Sequence, residues 1–275
     1  MKRITIIKFN GGLGNQMAQY AMMVLLKHKL PYRYYYCDTV EYNQVKMHNG
    51  FELKRIFKNI QLKEYGKVRR LIDKLTGNKK IVITQTFSSG YPIDESVFQL
   101  DENKKYILNG VWNNYDFDPV IEQLRHDFQF PEITDDKNLK WQNKILSTNS
   151  VSIHVRKGDF KTCGRDILGT SFYKAAMDII KEKVEDPVFY VFSDEDVKEL
   201  FQDVTDEIHF ISGNVGDFAY VDMQLMSMCK HNIVANSTFS WWSAYLNNNP
   251  DKTVIWPKMR TNDWETWHMN GWIEL

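Results

Sequence analysis

The sequence predicts an α/β protein of two doubly wound halves that face each other across a cleft. Three observations predict this class. Short β-rich runs alternate with longer helical patterns along the 275 residues, as in parallel sheets covered by helices. A glycine-rich turn follows the first apolar run directly. The second half carries five strands with helices between them, enough for a complete doubly wound unit whose ligand would sit at the carboxyl ends of its strands. The length is sufficient for one large or two modest cores.

Residues 3–9 (RITIIKF) read as a strand, 15–28 as a helix and 32–37 (YRYYYC) as a second strand, which makes one βαβ unit. The pattern loosens over 41–105. Residues 51–57 fit one or two helical turns, 67–77 (KVRRLIDKLTG) a basic amphipathic helix ended by Gly77, and 81–84 a short strand. A clear strand returns at 106–112, followed by a helix over 118–128 with Asp118 as N-cap and Pro119 at its first position. The polar, proline-containing 129–138 reads as a linker leading into another helix. In the second half, strands are expected at 150–155, 187–193, 207–212, 232–236 and 252–257, and helices at 171–184, 194–202, 217–229 and 238–247. The expected organisation is an N-terminal unit over 1–130, a linker and connecting helix over 131–149, and a C-terminal unit over 150–275.

Thirty-five Lys and Arg balance 35 Asp and Glu, without the basic excess of a general nucleic-acid binder. No stretch has the roughly 18 consecutive apolar residues of a spanning helix, and the apolar run after Met1-Lys2-Arg3 is too short for a signal segment. Cys37, Cys163 and Cys229 are far apart and outside any C-x-x-C pattern, which disfavours a disulfide framework or a cysteine zinc site. These features point to the cytoplasm, with peripheral attachment at the inner membrane left open. A solvated face is the ordinary reading of the basic run from Lys67 to Lys74.

Four stretches carry chemistry. In Phe9-Asn10-Gly11-Gly12-Leu13-Gly14-Asn15-Gln16, glycines after a strand let backbone N–H groups approach a ligand, and the helix start that follows favours an anion or polar oxygen. The pattern is neither the dinucleotide fingerprint nor the P-loop; a plain strand-to-helix turn is the competing reading. In residues 152–160 (SIHVRKGDF), His154 and Arg156 leave a strand end on one side. Arg156 offers a fork suited to phosphate oxygens, and Asp159 can hold the loop or the guanidinium. Asp194-Glu195-Asp196 matches a D-x-D metal pattern, against the simpler reading of helix-capping acids. Asn236-Ser237-Thr238 joins a strand to a helix, which suits either a diphosphate or an ordinary N-cap. Asp222, near the start of its helix, fits either a surface acid or an acceptor for a purine ring.

Together, GGLGNQMAQYA (11–21), HNGFELKRIF (48–57), LNGVWNNYDF (108–117), HVRKGD (154–159), YVFSDE (190–195) and LMSMCKHNIVANSTFSWWSAYLN (225–247) closely resemble, in that order, the inverting α-1,2-fucosyltransferases of bacteria and animals. The resemblance runs from about residue 4 to about residue 258. It implies a GT-B-like fold of two Rossmann-type units and a galactoside α-1,2-fucosyltransferase that uses GDP-fucose as co-substrate, a β-galactoside glycan as acceptor, and no metal or other cofactor. It implies that Arg156 and His154 contact the donor diphosphate, that Asp159 supports the arginine, and that Ser193, Asp194 and Asp222 border the guanine or ribose. Asn236, Ser237 and Thr238 would hold phosphate oxygens. Gly12, Gly14, Asn15, Gln16 and Trp112 would lie on the acceptor side. Asp116, Asp166 and His154 are the candidates for the base that takes the proton of the acceptor hydroxyl.

Two positions depart from the family pattern. Lys157 stands where a second arginine is common, which keeps the charge and loses the fork, and Ala18 stands where phenylalanine is common. Two rival classes remain in view. One is a metal-dependent transferase built on Asp194-Glu195-Asp196, and the other is a non-catalytic glycan-binding protein of the same fold. The acceptor's identity is not written in the sequence, although 40–105 and the Trp-rich 262–272 are the stretches expected to shape it.

Overall fold

Five β-branched or long residues at the N terminus, Ile4–Lys8, form the strand β1 around which the first unit is laid down. The computed structural model describes residues 3–44, 48–77, 79–85, 95–112, 114–158, 160, 168–258 and 269–275, and the chain divides into two units after Pro131. Asp159, Cys163, Asp166 and residues 262–268 of the Trp-rich stretch lie outside the described residues.

In the first unit, β1 is joined by β2 (Tyr34–Asp38), β3 (Lys80–Thr84) and β4 (Lys105–Asn109) in a parallel sheet of order β2-β1-β4-β3. The helix α1 (Leu13–Lys29) is buried from Leu13 to Leu26 except at Asn15. A helix apolar on nearly all sides belongs inside a core, and its Lys27, His28 and Lys29 complement the negative end of the helix dipole. Ala18 is fully buried there, so its departure from the family pattern concerns packing. Short helices α2 (Glu41–Gln44) and α3 (Leu53–Ile56), the helix α4 (Lys67–Leu75) and α5 (Ile121–Asp127) complete the unit. The helix expected over 118–128 begins as a 3₁₀ turn, Asp118–Val120, with Phe117 at its N-cap position. Asp118 is not the cap: the Asp116 carboxylate accepts the Asp118 N–H at 2.9 Å instead.

The second unit contains six parallel strands, β5 (Asn149–Val155), β6 (Pro187–Ser193), β7 (Ile208–Ile211), β8 (His231–Ile233), β9 (Val254–Trp256) and β10 (Ile273–Glu274), in the order β10-β9-β8-β5-β6-β7. Strand alternation sorts side chains onto two faces. Phe189 and Val191 join Val151, Ile153, Val155 and the helix α7 (Thr170–Lys183) in one core. Tyr190 and Phe192 face Ile145, Val221, Leu225 and Met226 in the other.

The connecting helix expected within 131–149 packs on the second face. Asp136–Leu146 is the helix α6, capped by Asp135 through the Asn138 N–H at 2.9 Å. Its Ile145 is buried in the core shared with the helix α8 (Tyr220–Met228), so the apolar side of this segment belongs to the second unit. The helix expected over 194–202 shrinks to a 3₁₀ turn, Lys198–Phe201, and the strand expected over 232–236 ends at Ile233. The helix α9 (Thr238–Leu246) follows. The sixth strand, β10, was not foreseen; its two residues pair with Ile255 and Trp256.

Candidate active site

In the second unit the chain starts at β5, winds outward through β6 and β7, and then returns to the opposite side of β5 to lay down β8. The carboxyl ends of β5 and β8 therefore flank the topological switch point, the usual ligand crevice of an open parallel sheet. Arg156 follows β5. Asn236 and Ser237 follow β8, and the pairing of Ile153 with Ile233 brings the two strand ends side by side.

Arg156 is held rather than loose. Its Nη1 lies 2.9 Å from Asp194 Oδ2, and the other oxygen, Oδ1, accepts the Lys157 N–H at 3.0 Å. The guanidinium carbon sits 5.6 Å from the Phe160 ring centre. Gly158 passes against the same carboxylate, with no room for a Cβ. The residue expected at the guanine or ribose, Asp194, thus orients the arginine in this structure. Ser193 Oγ accepts the Glu195 N–H at 3.3 Å and Asp196 Oδ1 the Lys198 N–H at 3.1 Å, so Asp196 behaves as a turn cap.

His154 closes a polar column on the face of β5 opposite Val151, Ile153 and Val155. Ser150 Oγ accepts the Lys230 N–H at 3.1 Å, and Ser152 Oγ accepts from Asn232 Nδ2 at 2.7 Å. His154, two residues on, is buried with Nδ1 unpartnered, and its ring centre is 5.7 Å from that of Phe239 in the first turn of α9. Burial, reinforced by the Arg156 charge, pushes its pKa down to about 3. This imidazole is neutral near pH 7 and is a poor proton acceptor for a base.

At the α9 start the N-cap reading of Asn236-Ser237-Thr238 is the one the contacts display. Ser237 is the N-cap, its Oγ accepting the Phe239 N–H at 3.3 Å, and Ser240 Oγ accepts the Ala235 N–H at 2.9 Å. The helix N-terminus keeps its positive end at the sheet's carboxyl edge. Trp241 and Trp242 are buried packing residues.

Asp222 of α8 is half-buried and accepts from Asn214 Nδ2 at 2.7 Å. Asn214, just past β7, also exchanges hydrogen bonds with Asn138 of α6 at 2.9 and 3.1 Å. Lys137 Nζ donates to Asn214 Oδ1 at 3.2 Å. Burial raises the Asp222 carboxyl to about 7 against the opposing pull of Asn214 and Lys137. Val215 and Phe218 expose apolar side chains in the adjoining loop.

The first unit turns out differently. Gly11 has φ of +75°, which favours glycine, and a Cβ there would strike Asn15. Gln16 is fully buried. Its Nε2 donates to the carbonyls of Gly11 at 3.1 Å and Gly50 at 2.8 Å, and its Oε1 accepts the Glu52 N–H at 2.8 Å. The expected acceptor ligand is therefore a brace for the glycine turn. Gly14 is buried in the first turn of α1, whereas Gly12 and Asn15 are half-buried.

Trp112 is likewise buried rather than presented, with a φ of +65° and an unpartnered indole N–H. Gln85 Oε1 accepts the backbone N–H groups of Val111 at 3.0 Å and Trp112 at 2.9 Å. Gln19 joins two strand ends: its Nε2 donates to Asn10 Oδ1 and to the Gly110 carbonyl, both at 3.0 Å. Gln19 and Gln85 went unread in the sequence; a glutamine one helical turn from Gln16 on an otherwise apolar helix was the available signal. Asp116 is exposed and serves as the cap of Asp118.

Two parallel, doubly wound units in one chain make an α/β fold of the GT-B-like class. The model of glycosyl transferase family 11 matches residues 1–275, and the chain belongs to that family. It is 28% identical to the O-antigen biosynthesis glycosyltransferase WbnK of Escherichia coli over 97% of this chain and 98% of that one. With an Escherichia coli alpha-1,2-colitosyltransferase it shares 29% identity over 89% of this chain and 88% of that one. With human galactoside alpha-(1,2)-fucosyltransferase 1 it shares 32% over 35% of this chain and 28% of that one. Among solved structures, a mutant of Arabidopsis thaliana FUT1 in complex with GDP superposes with a TM-score of 0.56 at 12% identity, covering 96% of this chain and 72% of that one, which is a likeness of fold. Among the described residues no helix is long and apolar enough to cross a membrane.

Proposed function

We propose that this glycosyltransferase moves L-fucose from GDP-β-L-fucose to the 2-hydroxyl of a terminal β-galactoside, with inversion and without a metal. The observation that carries the donor half of this reading is Arg156, oriented by Asp194 at the switch point beside the N-terminus of α9. Breaking the bond from fucose C1 to oxygen builds positive charge on the sugar and negative charge on the leaving β-phosphate. Donors fixed in advance at that phosphate favour the transition state over the ground state. Arg156 supplies the charged fork, and the α9 start supplies backbone N–H groups and the dipole. His154, neutral and buried behind them, fits a hydrogen-bonding role on the donor side and not that of base. Asp222, with Phe218 exposed nearby, supplies an acceptor for the donor groups of a guanine edge. The half-buried Gly12 and Asn15 are the acceptor candidates of the first unit.

A second reading rests on the relatives. The colitosyltransferase matches along most of this chain, the fucosyltransferase along about a third, so nucleotide-activated colitose is the rival donor. The test is GDP release by purified protein with lactose and either activated sugar, with and without EDTA, beside Arg156→Ala. Release with GDP-fucose that survives EDTA and collapses in the variant is the expected result. Release with the colitose donor alone, or loss in EDTA restored by Mn²⁺, overturns the donor or the metal-free mechanism respectively.

A further inference from the structure

The helix α4 is amphipathic in the reverse sense. Val68, Leu71, Ile72 and Leu75 stand at i, i+3, i+4 and i+7, which places them on one face, and a helix lying on a sheet ordinarily turns that face inward. Here the polar side is turned inward. Asp73 is buried between Lys105 and Lys80, the latter at 3.2 Å. Arg70 pairs with Asp38 at 2.6 Å, and the guanidinium carbons of Arg69 and Arg70 lie 4.4 Å and 5.4 Å from the ring centres of Tyr36 and Tyr65. These contacts fix the rotation of the helix about its axis. The apolar stripe consequently faces outward, with Val68 74%, Leu71 56%, Ile72 42% and Leu75 77% exposed. Val82, which alternates with Lys80 onto the same side of the sheet, is 57% exposed. Scattered apolar residues are ordinary on a surface; a contiguous helical stripe marks an interaction face.

The charges around the stripe say what it meets. Lys67 and Lys74, seven residues apart, border it on one flank, and Lys79 follows the Gly77 turn; all three are exposed. The one acid of α4, Asp73, is buried. An apolar stripe with a cationic rim is complementary to an anionic bilayer, where the aliphatic side chains enter the acyl boundary and the lysines reach the phosphate level. Pairing with a second copy through the same face would bring lysine rim against lysine rim.

We propose that α4, with Val82 and the flanking lysines, is a reversible docking face for anionic membrane. This inference rests on the surface of the first unit and is independent of the donor reading. The experiment is co-sedimentation of the full chain with vesicles of equal parts phosphatidylglycerol and phosphatidylcholine, against phosphatidylcholine alone. It compares wild type with Leu71→Gln/Leu75→Gln and with Lys67→Glu/Lys74→Glu. All four positions are exposed, and thermal melts verify that each variant is folded. Wild type should partition to the anionic vesicles in a salt-sensitive manner. The lysine reversals should weaken partitioning by about twentyfold or more and the leucine replacements by about tenfold. Absence of binding, or binding unchanged in either variant, overturns the proposal. So does an oligomer, seen by analytical ultracentrifugation without lipid, that Leu71→Gln/Leu75→Gln dissolves, which would assign the face to self-association.

Discussion

Asp194 engages Arg156 and the loop that carries it with separate oxygens: Oδ2 lies 2.9 Å from the guanidinium, and Oδ1 accepts the Lys157 N–H at 3.0 Å. A single carboxylate thus sets both where the arginine starts and where its fork points. Removing the fork should cost far more than loosening it. Arg156→Ala is expected to lower kcat/KM by about 10²–10³, and Arg156→Lys by an intermediate factor because the charge survives without the planar fork. Asp194→Asn should cost about tenfold, with donor KM rising, while the melting temperature barely moves, since a partly exposed pair is worth at most about 1 kcal/mol. Steady-state kinetics and melts on the three variants check this; an Arg156→Ala enzyme with near wild-type turnover would sink the assignment.

The first unit allows structure and function to be separated at neighbouring positions. Gln16→Leu keeps the volume and strips three hydrogen bonds from backbone groups, the Glu52 N–H buried and the Gly11 and Gly50 carbonyls half-buried, so it should cost about 2–4 kcal/mol in urea denaturation, with turnover per folded molecule largely kept. Gly12 has an extended backbone, φ of −78°, and a Cβ there would touch the His48 ring at an ordinary 3.4 Å. Gly12→Ala should therefore leave stability within about 0.5 kcal/mol and raise KM for the acceptor. A stability loss at Gly12 equal to that at Gln16 would remove Gly12 from the acceptor side.

The parallel sheets were legible because their strands are continuous apolar runs and their connections are long. So were Arg156 and the Asn236-Ser237-Thr238 turn, which stand where a parallel sheet puts its ligands. What the sequence hid were contacts closed over long separations. Asp194 reaches Arg156 from the next strand, and Gln85 caps a turn 26 residues away. Gln16 looked like a ligand because an amide in a glycine turn serves a sugar or a backbone equally well. The helix expected after the polar stretch 129–138 is α6, and only its start, at Asp136 behind the Asp135 cap, falls earlier than the polarity of that stretch suggests.

His154 fixes the sign of a pH effect. Its ordinary value of 6.5 falls to about 3 in the folded protein, so between these values the unfolded chain holds the extra proton and stability rises with pH. Wild type should lose stability as pH falls from about 6.5 toward 3, by on the order of a few kcal/mol, and His154→Gln should flatten that slope in denaturant titrations across the range. The same neutrality means that an acid limb of kcat/KM near pH 6.5 does not belong to His154. A limb that disappears in His154→Gln would show the imidazole titrating in the working range.

Asp222 acts in the opposite direction. Its carboxyl, ordinarily near 3.8, is raised to about 7, so between those values the folded protein holds the proton that the unfolded chain has lost, and stability falls as pH rises. Asp222→Asn keeps an oxygen for Asn214 Nδ2 and removes the ionisation. Its advantage over wild type should grow from about pH 4 to about pH 7 and level off above. Donor binding supplies the functional half. If Asp222 meets a guanine edge, its carboxylate accepts more strongly than the protonated acid does, so GDP affinity measured by calorimetry should tighten through pH 7 more in wild type than in Asp222→Asn, where the terminal phosphate of GDP still titrates. If GDP affinity keeps the same pH dependence in both proteins, Asp222 braces Asn214 and α6 and does not touch the donor.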